Sequence, residues 1–146
     1  MGRILVVDDD NSVLELLKTV LVHAGFEVRT AADGREALER LDATCDVLLC
    51  DKNLPLVAGT QVVLEARERF PHLTTVLMTA APEALALSSL GLDGYLAKPF
   101  RSFSLVTHTI KAARQRRAAA SGQRVEGELP PPRPSASTGP KDPRKQ

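Results

Sequence analysis

Val47-Leu48-Leu49-Cys50-Asp51-Lys52-Asn53-Leu54-Pro55 runs four apolar residues into a single carboxylate and then into a turn-forming stretch. A short apolar run bounded by turn signals reads as a strand buried on both faces, the form strands take in a parallel sheet. Asp51 then stands where that strand leaves the core, and in open α/β sheets ligands bind beyond the carboxyl ends of the strands. On this reading Asp51 is a nucleophile that accepts a phosphoryl group. The competing reading makes it a residue that only starts a turn, a position Asp often takes. The rest of the chain has to decide between them.

On the N-terminal side, Ile4-Leu5-Val6-Val7 is a second short apolar run, ending in Asp8-Asp9-Asp10. Val13, Leu16, Leu17, Val20, Leu21 and Ala24 follow at helical spacing and are expected to face inward. Ser12 with Glu15 fits a capping box, Asp10 is an alternative cap, and Gly25 supplies the stop. Phe26 to Thr30 alternates as a half-buried or edge strand does, and Asp33-Gly34-Arg35-Glu36 opens a short helix with Ala37, Leu38 and Leu41 inward. On the C-terminal side, Gln61 to Phe70 carries Val62, Val63, Ala66 and Phe70 at helical spacing, and Pro71 closes it. Thr74 to Met78 is a strand ending in Thr79-Ala80, and Pro82 starts a short, weakly amphipathic helix through Ser88. Gly94-Tyr95-Leu96-Ala97 is a fifth strand, ending at Lys98-Pro99. The last helix is expected from about Ser102 to Arg117, with Phe103, Val106, Ile110 and Ala113 inward and Lys111, Arg114, Arg116 and Arg117 near the negative end of its dipole. Strands alternating with helices imply a doubly wound α/β fold: a five-stranded parallel sheet covered on both faces, three layers in all.

Composition agrees with an ordinary globular domain in residues 1–117. The chain has 146 residues, 43% apolar and 25% charged, and with aromatics at 3% its core must be aliphatic. A formal net charge of +1 provides no field that would imply nucleic acid, so no direct nucleic-acid binding is expected. Cys45 and Cys50 flank the Asp51 strand outside any metal-type or redox pattern and are expected to be reduced, buried thiols. The first residues do not read as a signal peptide, no apolar stretch is long enough to insert in a membrane, and a cytoplasmic protein is expected. Residues 118–146 differ in kind. Six of the ten prolines fall there, with five basic against three acidic residues and little that is large and apolar. Such a segment cannot bury enough surface to offset its ordering entropy, so a disordered, Pro-rich basic tail is expected.

The marked polar residues share one place in this topology. Asp8 and Asp9 follow the first strand, Asp51 ends the third, Thr79 the fourth and Lys98 the fifth, and parallel strands put all these ends on one edge of the sheet. Three carboxylates brought together repel one another unless a cation neutralises them or they take up protons. The donors are all oxygen, which favours a hard, hydrated ion, and Mg²⁺ fits best at Asp8, Asp9, Asp51 and the backbone carbonyl of Asn53. Phosphoryl transfer needs little beyond positioning and neutralisation of charge on the phosphoryl oxygens. The Lys98 ammonium and the Thr79 hydroxyl supply that, and an ionised Asp51 has no proton to lose before it attacks. Taken singly, each residue has a plainer role: an acidic helix start for Asp8 to Asp10, a strand-end hydroxyl for Thr79, a surface lysine for Lys98. Together they make the turn reading of Asp51 hard to sustain.

Val6-Val7-Asp8-Asp9-Asp10, Asp51-Lys52-Asn53-Leu54-Pro55, Thr79-Ala80 and Tyr95-Leu96-Ala97-Lys98-Pro99-Phe100, in that order, resemble the receiver domains of two-component response regulators over residues 3 to about 117. The resemblance implies a flavodoxin-like, chemotaxis-regulator-like fold and phosphorylation of Asp51 by a histidine kinase or phosphotransfer protein. It also implies Mg²⁺ near Asp8, Asp9 and Asp51, contacts from Thr79 and Lys98 to the phosphoryl group, and a cis Lys98–Pro99 peptide. Tyr95 matches the aromatic that turns inward as the threonine moves, so Thr79 and Tyr95 are the expected switch pair toward a downstream protein. Such a chain is not an enzyme in the usual sense, since it acts only on its own Asp51.

Departures from the family pattern are few. Leu54 replaces a usual Met at similar volume, and Leu56-Val57-Ala58-Gly59 lacks an acidic residue often found before the glycine. The span from Thr79 to Lys98 is about three residues shorter than is usual in the family, which puts the customary partner surface in doubt. No output-domain pattern follows, so a single-domain regulator is expected. Asn53 and Ala81, two residues beyond Asp51 and Thr79, are neither bulky nor acidic, and moderate self-hydrolysis of the phosphate is expected. Two rivals stand beside this reading. One is a phosphatase resembling the haloacid-dehalogenase type, with Asp8 as nucleophile and Asp10 as acid/base, which leaves Asp51 unused. The other is a receiver-like docking module that takes no phosphate.

Overall fold

β1 (Gly2–Val7) and β3 (Val47–Asp51) form because each carries a run of four apolar residues, Ile4 to Val7 and Val47 to Cys50, long enough to cross a core. Both sit inside a sheet of order β2-β1-β3-β4-β5, with β2 (Phe26–Ala31) and β5 (Gly94–Ala97) at its edges and β4 (Thr74–Thr79) within. Every pairing is parallel. α1 (Asn11–His23), α2 (Gly34–Arg40), α3 (Gly59–Arg69) and α4 (Phe103–Ala120) complete the computed structural model, which describes residues 2–81 and 91–120. The helix expected to start at Pro82 and the tail beyond residue 120 lie outside the described residues, and α4 itself runs three residues past the expected Arg117.

Alternation along the central strands builds the layers. Ile4, Val6, Val47, Leu49, Val76, Met78 and Leu96 point to one face and meet Leu14, Leu17 and Leu21 of α1 with Val106 and Ile110 of α4. Leu5, Val7, Leu48, Cys50 and Leu77 point to the other face, against Ala37 of α2 and Val62, Val63 and Ala66 of α3. All residues of β3 and β4 are buried, as expected of inner strands of a parallel sheet, whereas edge strand β2 carries exposed Glu27 and Arg29. Cys45 and Cys50 are free, buried thiols, as expected. Among the described residues no helix is long and apolar enough to cross a membrane.

Two inward assignments are corrected. Leu16 is 39% exposed, and Leu14 is buried in its stead. The buried set Leu14, Leu17, Val20 and Leu21 centres the inward face of α1 near Leu17 and Leu21, and Leu16 lies about 110° round the helix from that centre. Phe103 is 57% exposed. It begins α4 on the rim of the core, where Phe100 from the preceding loop packs instead. α1 is capped by Asp10, whose side chain accepts from Ser12 N at 2.9 Å, so the Ser12–Glu15 box is not what starts it. In α2 the Asp33 carboxylate accepts from Glu36 N at 2.7 Å while the Glu36 carboxylate accepts from Ala32 N at 2.7 Å, a reciprocal cap that fixes this helix end.

Candidate functional site

Strand register delivers the site. Val7 pairs with Cys50, so Asp8 leaves β1 level with Asp51 at the end of β3. Asp51 pairs with Met78, placing Thr79 one residue further along β4, and Thr79 pairs with Ala97, placing Lys98 just beyond β5. Lys98 N donates to the Thr79 carbonyl at 2.9 Å and Lys52 N to the Met78 carbonyl at 2.9 Å, which ties the departing chain ends to β4. The Lys98–Pro99 peptide is cis.

Carboxylate oxygens of Asp8, Asp9 and Asp51 all lie within 4.8 Å of one another. Asp8 is fully buried, Asp51 nearly so and Asp9 is exposed. The Lys98 ammonium donates to Asp8 Oδ2 at 3.0 Å and reaches Asp51 Oδ2 at 3.4 Å, so one cation spans two carboxylates. Asp8 Oδ1 accepts from Asp10 N at 2.9 Å, and Asp51 Oδ1 takes the Asn53 N–H at 3.4 Å. Burial, and then the charge of Asp8, push the Asp51 carboxyl above the usual carboxylate range, against the pull of Lys98 and the Asn53 N–H. Burial works against the Lys98 charge, but its bonds and Coulomb attraction to Asp8 and Asp51 outweigh that and raise it overall. The buried Cys50 thiol next to Asp51 is pushed far up by burial and by both aspartates, so it stays protonated.

The geometry thus gathers four of the expected residues, Asp8, Asp9, Asp51 and Lys98, around one point. Thr79 is buried at the adjacent strand end, with its hydroxyl accepting from Ala81 N at 3.1 Å. Asn53 is exposed in the loop after β3, and Tyr95 is 43% exposed on β5. Asp10 belongs to the cap of α1, which accounts for it without acid/base chemistry. The donors fit Mg²⁺: three oxygen ligands, no sulfur or nitrogen, and excess negative charge that a single ammonium only partly offsets. An apolar groove lined by Val13, Leu16, Ala80, Pro99, Phe100 and Phe103 runs up to Lys98. The sequence pattern hides that groove, because helical spacing alone turns Leu16 and Phe103 inward.

Residues 4–110 match the model of the response regulator receiver domain. The chain is similar to the transcriptional regulatory protein CpxR of Escherichia coli, 40% identical over 111 residues that make up 73% of this chain and 47% of that protein. It is also similar to a putative transcriptional regulator of Haloferax volcanii, 39% identical over 121 residues, 83% of this chain and 21% of that protein. It therefore spans from about a fifth to about half the length of these curated relatives. Among solved structures, chemotaxis protein CheY4 of Vibrio cholerae superimposes with a TM-score of 0.72 at 33% identity, covering 77% of this chain and 98% of that one. Response regulator protein TrrA of Thermotoga maritima, solved in complex with Mg²⁺ and BeF, gives 0.68 at 34% identity, covering 77% and 99%.

Proposed function

Because this chain belongs to the response regulator receiver domain family, we propose that Asp51 accepts a phosphoryl group from a histidine-bearing protein donor. The observation that carries this is the Lys98 ammonium lying between Asp8 and Asp51, with Asp9 beside them, at the carboxyl edge of a parallel sheet. An Asp51 oxygen forms the new P–O bond as the donor's P–N bond breaks, and the electron pair leaves on the imidazole nitrogen. Lys98 would meet a phosphoryl oxygen on turning from the two carboxylates it now spans, and its charge supports that role. The Thr79 hydroxyl meets another on giving up Ala81 N, and that movement is the reading's switch, with Tyr95 as the aromatic that follows. Asp8, Asp9, Asp51 and the Asn53 carbonyl would hold Mg²⁺, which supplies charge neutralisation for the transferring group.

The chain acts on itself alone: it promotes the formation and loss of its own aspartyl phosphate. The groove of Val13, Leu16, Phe100 and Phe103 beside Lys98 supports a protein donor over a small one, since such apolar side chains at the mouth of the site suit a docked surface. Regulation of transcription belongs to the longer relatives, and for this chain the reading is a phosphorylated receiver that signals to a downstream protein in the cytoplasm. Asn53 is exposed and Ala81 is small, so neither gives the phosphate unusual shielding from water, and moderate self-hydrolysis is expected.

Labelling with acetyl phosphate, or with beryllofluoride, in the presence of Mg²⁺ tests the site. Modification at Asp51 is expected. Modification at Asp8 would favour the phosphatase-like chemistry instead, and no modification with intact partner binding would favour a docking module.

A further inference from the structure

The loop that carries Asn53 is held at its closing end and at its crest by contacts only glycine permits. Where it rejoins the fold at Gly59, that residue's N–H donates to the Lys52 carbonyl at 2.9 Å, and a Cβ there would overlap the Asp51 carbonyl oxygen and lie 2.8 Å from Lys52 Cα. At its crest the loop leans on another element. A Cβ at buried Gly34, the first residue of α2, would overlap the Val57 carbonyl oxygen and lie 2.8 Å from Val57 Cβ. Between these two contacts, Val57 N donates to the Pro55 carbonyl at 2.8 Å, and Leu56 sits at φ 70, 69% exposed. A bulky residue in the left-handed region persists only where its surroundings over-determine the backbone. Leu56 has little of its own side chain to hold it there, so the restraint comes from the seam at Gly59 and the seat at Gly34.

The seat is firm. Asp33 and Glu36 cap the start of α2 reciprocally at 2.7 Å each, and Ala37 anchors the helix in the core. We propose that Gly34 is a positioning residue for the Asp51 site: lacking a Cβ, it lets the Val57 carbonyl seat on the end of α2, and this sets the loop whose Asn53 carbonyl would join Asp51 in holding Mg²⁺. The inference rests on the proposed Mg²⁺ site and extends it to an element that contributes no ligand. Gly59 cannot isolate the effect, because it touches the Asp51 backbone directly, whereas the atoms nearest a Cβ at Gly34 all belong to Val57 of the loop.

Titration of the full chain with Mg²⁺ alone, by calorimetry, and with Mg²⁺ and beryllofluoride, by fluorine NMR, tests this. Gly34→Ala is expected to raise the apparent Mg²⁺ constant at least tenfold, with the bound beryllofluoride signal recovered at higher Mg²⁺. A merely structural role would reduce the folded fraction and the end point without moving the constant. Arg35→Ala, the exposed neighbour, should titrate like the wild type. If Gly34→Ala does not fold, Asp33→Ala loosens the same helix end by removing its cap, and a rise of threefold or more is expected. An unshifted constant in whichever of the two variants folds overturns the proposal. No Mg²⁺ binding by the wild type would overturn the proposed function as well; wild-type binding with an unshifted variant overturns the positioning role alone.

Discussion

The surroundings of Asp51 work against its ionised form. Burial and the charge of Asp8 hold its carboxyl above the usual range, so in the fold this group favours the native state only while protonated. That contribution is present in acid and is lost as pH rises from the ordinary carboxylate range through the raised value. Where the group is charged, that charge is a net burden on stability. Asp51→Asn keeps the shape and removes the charge, so in metal-free buffer it is expected to unfold a few degrees above the wild type; an unfolding temperature below wild type would mean that pairing with Lys98 outweighs burial. The buried Cys45 thiol gives the complementary case. Burial raises it from 9.0 to about 11. A raised value again means stability present below the unfolded value and lost as pH climbs through the folded one, here between about pH 9 and 11. Urea unfolding at about pH 8 and about pH 11 should show the wild type losing roughly 2 kcal/mol more than Cys45→Ala across that window.

At the scale of elements, the end of the sheet opposite the site is held by one carboxylate. Asp93, buried just before β5, accepts from Arg67 Nη2 of α3 at 2.7 Å and from Thr75 N of β4 at 2.9 Å, and its carbonyl accepts from Arg116 of α4 at 2.9 Å. Arg117 Nε of α4 lies 3.8 Å from its other oxygen. Burial lowers the Arg67 guanidinium from its ordinary value, with Arg117 adding to this and Asp93 opposing it. Asp93→Ala leaves these guanidinium groups without their shared carboxylate and is expected to cost about 3 kcal/mol in urea unfolding, while Asp51 in the folded protein is still labelled. None of this was legible in the chain, because Arg67 and Asp93 are 26 residues apart and belong to no local pattern. The strands were legible, since β1, β3 and β4 each carry a short apolar run bounded by polar or turn-forming residues. The inward face of α1 was only half legible: Val13, Leu14, Leu16, Leu17, Val20, Leu21 and Val22 are apolar nearly all round, so periodicity admits two faces and only the packed sheet selects one. The seat of Val57 on Gly34 was equally hidden, because in sequence Gly34 reads as part of an ordinary helix start.

Across the whole molecule, the site and the fold are linked through charge. Four strand ends converge because the sheet is parallel and in register, and that convergence brings three carboxylates together with one ammonium. The fold therefore stores a repulsion that Lys98 offsets only in part and that a bound cation or proton uptake relieves. A ligand that binds the native state alone stabilises it by mass action, by about 2.7 kcal/mol at a hundredfold excess over its Kd. Mg²⁺ should raise the unfolding temperature of the wild type, and Mg²⁺ with beryllofluoride should raise it further, because on the proposed function the second ligand would engage Asp51, Lys98 and Thr79 together. Asp51→Asn should lose the second increment. Lys98→Ala should respond to Mg²⁺ more strongly than the wild type, since without the ammonium the repulsion among Asp8, Asp9 and Asp51 is greater and the cation has more of it to relieve. If Lys98→Ala instead gained less from Mg²⁺, Lys98 would be acting mainly to hold the carboxylates in place rather than to neutralise them. Thermal scans of the three proteins with and without each ligand distinguish these two roles.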